Sequence, residues 1–176
     1  STIIFILTLY IFGNYIINKN EKFLSTINEK LYVKIISPNF ELRYGLKKDE
    51  IEQKLKKLIK YSNPVANKST LFVWPEGIFS GYSYNDILFF KKLIKDNFSN
   101  NHLIILGINK LEPVTGQYYN SMIVVNNNFE VVKIYNKNKL VPFGEFLPFE
   151  NILNILGLKK ITEGHGSFIK GEKKNN

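Results

Sequence analysis

Three charged side chains stand where chemistry is possible. Glu76 lies in WPEGIFSG (74–81), directly after the apolar run TLFVW (70–74). A glutamate at the C-terminal end of a buried strand sits at the mouth of a sheet, where α/β proteins place their sites. Partial desolvation there suits a carboxylate to general-base work. Capping of a turn, or pairing with a surface lysine, explains Glu76 equally well on local sequence alone. Lys137 and Glu145 lie in YNKNKLVPFGEFLP (135–148). Its prolines and glycine break any continuous strand or helix, so the run reads as an ordered loop. Lys137 follows a strand ending near Tyr135, and an ammonium held in a pocket stabilises a developing oxyanion. Taken alone it is one of 23 lysines and reads as a surface charge. Pro142, Gly144 and Pro148 restrict the backbone after it, so that Glu145 is held in place.

The elements that must position these residues follow from periodicity. LYVKIIS (31–37) reads as a strand ended by Pro38. Asp49 followed by Glu52 predicts a capping box, and Ile51, Leu55, Leu58 and Ile59 then fall on one helical face. TLFVW is a buried strand stopped by Pro75. A helix over about 85–98 uses Ile87, Phe90, Ile94 and Phe98 as its core stripe. LIILGI (103–108) is the next buried strand. GQYYNSMIVVN (116–126) and FEVVKIY (129–135) alternate and are joined by an asparagine turn, which predicts a hairpin. A short helix is expected over 149–158, with an irregular glycine- and lysine-rich end after it. Strands alternating with helices, then a hairpin, indicate a mixed α/β layer domain.

Composition bounds the rest. Hydrophobic residues make up 44% of 176 and aromatics 14%, so the chain folds and buries a core. Net charge is +9, but Arg43 is the single arginine, so a nucleic-acid partner is disfavoured against scattered solvated lysines. There is no cysteine, which excludes disulfides, Cys-based metal sites and a cysteine nucleophile from these residues. His102 and His165 have no ligand spacing around them, and no metal is expected. Gly164-His165-Gly166 lacks the context of a phosphate loop, and Ser80 and Ser121 lack a nucleophile-elbow pattern. Residues 1–18 carry no charge and read as a membrane helix or its C-terminal part. Tyr10 and Tyr15 suit an interfacial position. Residues 19–30 read as a polar linker, and 31–176 as the folded domain. Aromatics around Ile78–Tyr84, Phe79 among them, are expected to form a lid beside Glu76.

The two motifs together resemble the nitrilase superfamily of carbon–nitrogen hydrolases, and within it most closely the apolipoprotein N-acyltransferases. That family ends a strand in W-P-E, here Trp74, Pro75 and Glu76. It also carries Y-x-K-x-x-L-V-P-F-G-E-x-x-P, complete here as Tyr135, Lys137, Leu140, Val141, Pro142, Phe143, Gly144, Glu145 and Pro148. The stretch ISPNFELRYG (36–45) is similar to the family's first strand, with Tyr44 where many members have an aromatic next to substrate. The resemblance implies a partial α-β-β-α sandwich preceded by the apolar membrane segment. It implies Glu76 as general base, Lys137 as oxyanion stabiliser and Glu145 as the carboxylate shaping the loop. It implies Tyr44, Trp74 and Phe143 as substrate contacts.

The implied reaction is ping-pong acyl transfer with no cofactor. A thiolate attacks a phospholipid ester, a thioester acyl-enzyme forms, and the α-amine of a diacylglyceryl-cysteine apolipoprotein accepts the chain. The implied location is the bacterial inner membrane, with the domain facing the periplasm. The family's cysteine lies on a strand beyond the lysine motif. The sequence therefore reads as an internal or split piece whose thiol comes from a second chain, and as inactive alone. A soluble nitrilase-like amidase and a non-catalytic remnant are the alternatives. A half-paired sheet with exposed edges implies marginal stability and aggregation.

Overall fold

The computed structural model describes residues 2–25, 31–41, 43, 45–79, 81–149 and 166–172. The chain divides into two compact units, Ser1–Leu31 and Tyr32–Asn176. The first holds helix α1 (Thr2–Ser25). Its stretch Thr2–Glu21 has mean hydropathy 1.4 and is long and apolar enough, by length and composition, to cross a membrane. The helix continues to Ser25, so the polar segment expected as a linker from residue 19 begins as helix.

The second unit is built on one five-stranded mixed sheet in the order β1-β2-β3-β4-β5. The strands are β1 (Tyr32–Ile35), β2 (Thr70–Val73), β3 (His102–Leu111), β4 (Tyr118–Val125) and β5 (Val131–Asn136). β1 to β3 run parallel, joined by helical crossovers, and β3-β4-β5 form an antiparallel meander. The hairpin closes where Asn126 Oδ1 accepts the N–H groups of Asn128 and Glu130. A bulge at Val124/Val125 lets β5 absorb the extra residue.

Alternation along the strands sorts the sheet into two faces. Phe72, Ile104, Leu106, Ile108, Ile123 and Val125 point to the helix-covered face and are buried. Against them pack α2 (Lys48–Ser62) and a second helical run. All four predicted α2 positions, Ile51, Leu55, Leu58 and Ile59, lie in this core. Each fully buried aliphatic contributes about 1.5–3 kcal/mol of transfer free energy. The N-terminal cap is formed by Lys47 and Glu50 rather than Asp49 and Glu52: the Lys47 N–H donates to Glu50 Oε2 at 2.8 Å. The apolar stripe fixes which residue lies three positions after the cap, and the chain enters two residues earlier than the sequence signal implies. At the other end Asn63 adopts a left-handed backbone (φ 40°), and Lys34 Nζ donates to the orphan Ser62 carbonyl at 2.7 Å.

The helix expected over 85–98 is broken into α3 (Tyr84–Ile87), a 3₁₀ turn (Leu88–Phe90) and α4 (Lys91–Lys95). Its core stripe survives: Ile87, Phe90, Ile94 and Phe98 are all buried. No proline or glycine announces the break. The opposite face of the sheet carries Val33, Ile35, Leu103 and Met122, all exposed among the described residues. One sheet and one helical layer are thus present, half of a four-layer α-β-β-α arrangement. The helix expected over 149–158 lies outside the described residues.

Candidate active site

The residue after β5 is Lys137, and its N–H extends the ladder by donating to the Asn120 carbonyl at 2.8 Å. That register sends Lys137 to the uncovered face, the one that carries Tyr135, Met122 and Asn120. The loop then folds back. Phe143 N–H donates to the Phe146 carbonyl and Glu145 N–H to the Val141 carbonyl, at 2.7 and 2.8 Å. The left-handed position in this turn is Phe143 (φ 63°), not the neighbouring Gly144. A bulky residue there costs on the order of 1–3 kcal/mol and persists only where the surroundings enforce it.

What enforces it centres on Glu145. Its Oε1 accepts Lys137 Nζ and Asn120 Nδ2, each at 2.8 Å, and its Oε2 accepts the Val141 N–H at 2.8 Å. The Glu145 side chain is 16% exposed and that of Lys137 is 34% exposed. Burial pushes the Glu145 carboxyl up, but hydrogen bonds from Lys137, Val141 and Asn120 outweigh it and hold the carboxyl below its ordinary range. Gly171 completes the rear wall: its N–H donates to the Lys137 carbonyl at 2.9 Å. A Cβ at Gly171 would collide with the Asn136 carbonyl, so only glycine fits this approach.

Glu76 reaches the same face from β2. The ladder continues through Trp74, whose N–H donates to the Ile105 carbonyl, and after Pro75 the chain enters a turn over residues 76–79. The Cα and Cγ of Glu76 lie 3.6 and 3.5 Å from where a Cβ on Gly107 would stand, so its stem rests on β3 at Gly107. Gly107 pairs with Met122, and Asn109 with Asn120. One strand spacing and two residues along β3 separate Gly107 from Asn120, about 8 Å between Cα positions. The sheet therefore brings Glu76, Asn120, Lys137 and Glu145 to one surface. Glu76 itself is exposed, so the described residues do not supply the desolvation expected of it. No hydrogen bond or ion pair engages its side chain among the described residues.

Other expected site residues separate. Trp74 is 3% exposed on the helix-covered face, and its indole N–H donates to Ser62 Oγ at 3.0 Å. Trp74 keeps the alternation of Phe72 and faces the helices, whereas the chain leaves the strand at Pro75 and carries Glu76 over Gly107 on the other face, so Trp74 is a core residue and not a substrate contact. Phe143 is exposed on the loop between Lys137 and Glu145. Tyr44, Ser80 and His165 lie outside the described residues. The lid expected over Ile78–Tyr84 is not one: Ile78 and Phe79 are buried, and Tyr84 donates to the Phe129 carbonyl at 2.6 Å. Core packing, not exposure, accounts for those aromatics. His102 is buried, with Nδ1 accepting the Ser99 N–H and Nε2 donating to the Val65 carbonyl. Both ring nitrogens are used, so it closes a turn and offers no lone pair to a ligand. The residue that sequence reasoning missed is Asn120. Its signal was an amide in the middle of YYNSMIVV, a poor strand former in an otherwise apolar alternation.

A strand-borne carboxylate and a lysine–glutamate pair thus share one face of a mixed α/β sheet. The Carbon-nitrogen hydrolase family profile matches residues 39–165, and the chain belongs to that family. It is similar to the apolipoprotein N-acyltransferase of Rhizobium rhizogenes, 33% identical over 102 residues, covering 56% of this chain and 19% of that protein. The apolipoprotein N-acyltransferase of Wigglesworthia glossinidia brevipalpis is 29% identical over 180 residues, covering 98% of this chain and 35% of that one. The chain thus spans about a third or less of the length of these relatives. A crystal structure of a carbon–nitrogen hydrolase from Helicobacter pylori G27 aligns with TM-score 0.43 and 18% identity, over 63% of this chain and 40% of that one.

Proposed function

We propose that the described surface is part of an acyltransferase site that moves a fatty acyl chain from a phospholipid to the amine of a diacylglyceryl-cysteine apolipoprotein. The observation that carries this reading is the placement of Glu76 and the Lys137–Glu145 pair on one face. Glu76 engages no partner among the described residues and takes the thiol proton. Lys137 spends one of its three N–H donors on Glu145, and the others serve the tetrahedral oxyanion. Phe143 borders the acyl chain, and Tyr44 lines the substrate. The thiol itself comes from polypeptide outside these 176 residues, since they hold no cysteine. A second chain carrying it fits this reading. Base and lysine without the thiol give little turnover, because such groups act as a unit.

The apolar Thr2–Glu21 stretch supports a membrane setting. We place the protein in the bacterial inner membrane with the folded unit on the periplasmic side. The test is N-acylation of a synthetic diacylglyceryl-cysteine peptide by membranes containing the protein, the polypeptide that supplies the thiol and a labelled phospholipid. Transfer that vanishes in Glu76→Gln and Lys137→Met supports the acyltransferase. Transfer unaffected by both changes, or none in the unmodified protein, overturns it.

A further inference from the structure

Asn120 holds both halves of the Lys137–Glu145 unit. Its backbone carbonyl accepts the Lys137 N–H at 2.8 Å, and its side-chain amide donates to Glu145 Oε1 at 2.8 Å. The same oxygen accepts Lys137 Nζ at 2.8 Å. Asn120 lies inside β4 and is paired with Asn109 across the ladder, so it is anchored to the rigid part of the fold. Glu145 lies on a loop, and the terminal torsion of a glutamate is broad and nearly two-fold. The Val141 N–H occupies Oε2 but moves with the same loop. The link from Oε1 to the sheet is therefore the Asn120 amide, and Oε1 decides where the remaining donors of Lys137 point. A leucine, branched at the same carbon but without polar atoms, would leave that oxygen tied to the lysine alone.

We propose that Asn120 is a positioning residue that fixes the Glu145 carboxylate, and through it aims the Lys137 ammonium at the reacting oxygen. The consequence for rate rests on the acyl-transfer reading above; the mechanical linkage does not. Two measurements separate them. The first is the titration of the Glu145 carboxyl carbon by NMR in the full chain in detergent micelles, using ¹³C-labelled glutamate. In Asn120→Leu the Glu145 midpoint should move up toward that of an ordinary glutamate, because a donor to the charged form is lost. In Asn120→Asp two carboxyls lie within hydrogen-bonding distance and titrate as a pair, one step raised. A Glu145 midpoint unchanged in both variants, with the β4 and β5 amide signals unmoved, overturns the proposal. The isosteric Asp variant keeps the test open should Leu unfold the domain.

The second measurement is acyl transfer in membranes that also carry the polypeptide supplying the thiol. Asn120→Leu should lower kcat about 10- to 100-fold, with KM for phospholipid within about two-fold, as expected for misaimed rather than missing groups. Asn120→Asp should regain rate relative to Asn120→Leu as pH falls, because its protonated carboxyl offers an O–H donor in place of the amide. Rates for the two variants that run parallel at every pH indicate a merely structural residue and overturn the proposal. Inactivity of the unmodified protein overturns the acyl-transfer reading and leaves the titration to decide the linkage.

Discussion

Two glutamates of this chain stand on the same sheet face and live in opposite environments. Glu145 accepts three hydrogen bonds at 2.8 Å and is 16% exposed. Glu76 is exposed and engages no partner among the described residues. A carboxylate whose lone pairs are taken is a poor proton acceptor and a good scaffold. A carboxylate with free lone pairs on a fixed stem is suited to accept a proton. On the reading proposed above, the difference suits Glu145 to structure and Glu76 to chemistry, although nothing in the residue type distinguishes them.

Substitutions can break that division. The largest effect on rate is expected from Glu76→Gln, a loss of about 10²–10⁴-fold in acyl transfer. Its thermal midpoint should stay close to wild type, since an exposed, unpartnered side chain changes stability by about 0.5 kcal/mol or less. Lys137→Met should cost about 10²–10³-fold in rate. Glu145→Ala should do what Glu76→Gln does not: strand the Asn120 and Val141 donors and destabilise the fold by about 1–3 kcal/mol, read as a fall in the melting midpoint. If Glu76→Gln and Glu145→Ala lower the midpoint equally, the contrast between the two residues is wrong.

The pH dependence of stability sharpens the same contrast. The Glu145 carboxyl is held below its ordinary range in the folded protein. Its clamp therefore contributes stability that is fully present above the unfolded value of about 4.3 and is lost as pH falls through the folded value. Melting midpoints measured from neutral pH into acid should fall less steeply for Glu145→Gln than for wild type. The smallest effect belongs to Trp74→Phe, which removes the bond to Ser62 at a cost of about 1 kcal/mol. Its transfer rate should be unchanged, and a rate loss without a stability loss would return Trp74 to the site.

How much of this was legible in the sequence depended on the range of the interaction. The α2 stripe and the buried strands follow from local periodicity, which burial enforces, and Ile51, Leu55, Leu58 and Ile59 lie where periodicity puts them. The hairpin around Asn126 was equally plain. The side of the sheet taken by Trp74 was not, because it depends on the register at which β2 stops. The broken helix at Leu88–Phe90 and the left-handed Phe143 carry no local marker, since contacts distant in sequence impose them. The aromatics of FSGYSY gave a wrong expectation for a related reason: composition does not separate a lid from a core. Asn120 was missed because its role exists only once β4 and the loop meet.

The most direct test of the division of labour is formation of a thioester acyl-enzyme. Membranes carrying the protein, together with the polypeptide that supplies the thiol, are incubated with a phospholipid labelled in its acyl chain. Hydroxylamine-labile label on cysteine is then measured. With Glu76 as base and Lys137 as oxyanion stabiliser, label accumulates on the thiol-bearing polypeptide beside the unmodified protein and falls at least about 100-fold beside Glu76→Gln, although that variant remains as stable as wild type. Label that forms at the wild-type rate in Glu76→Gln contradicts it.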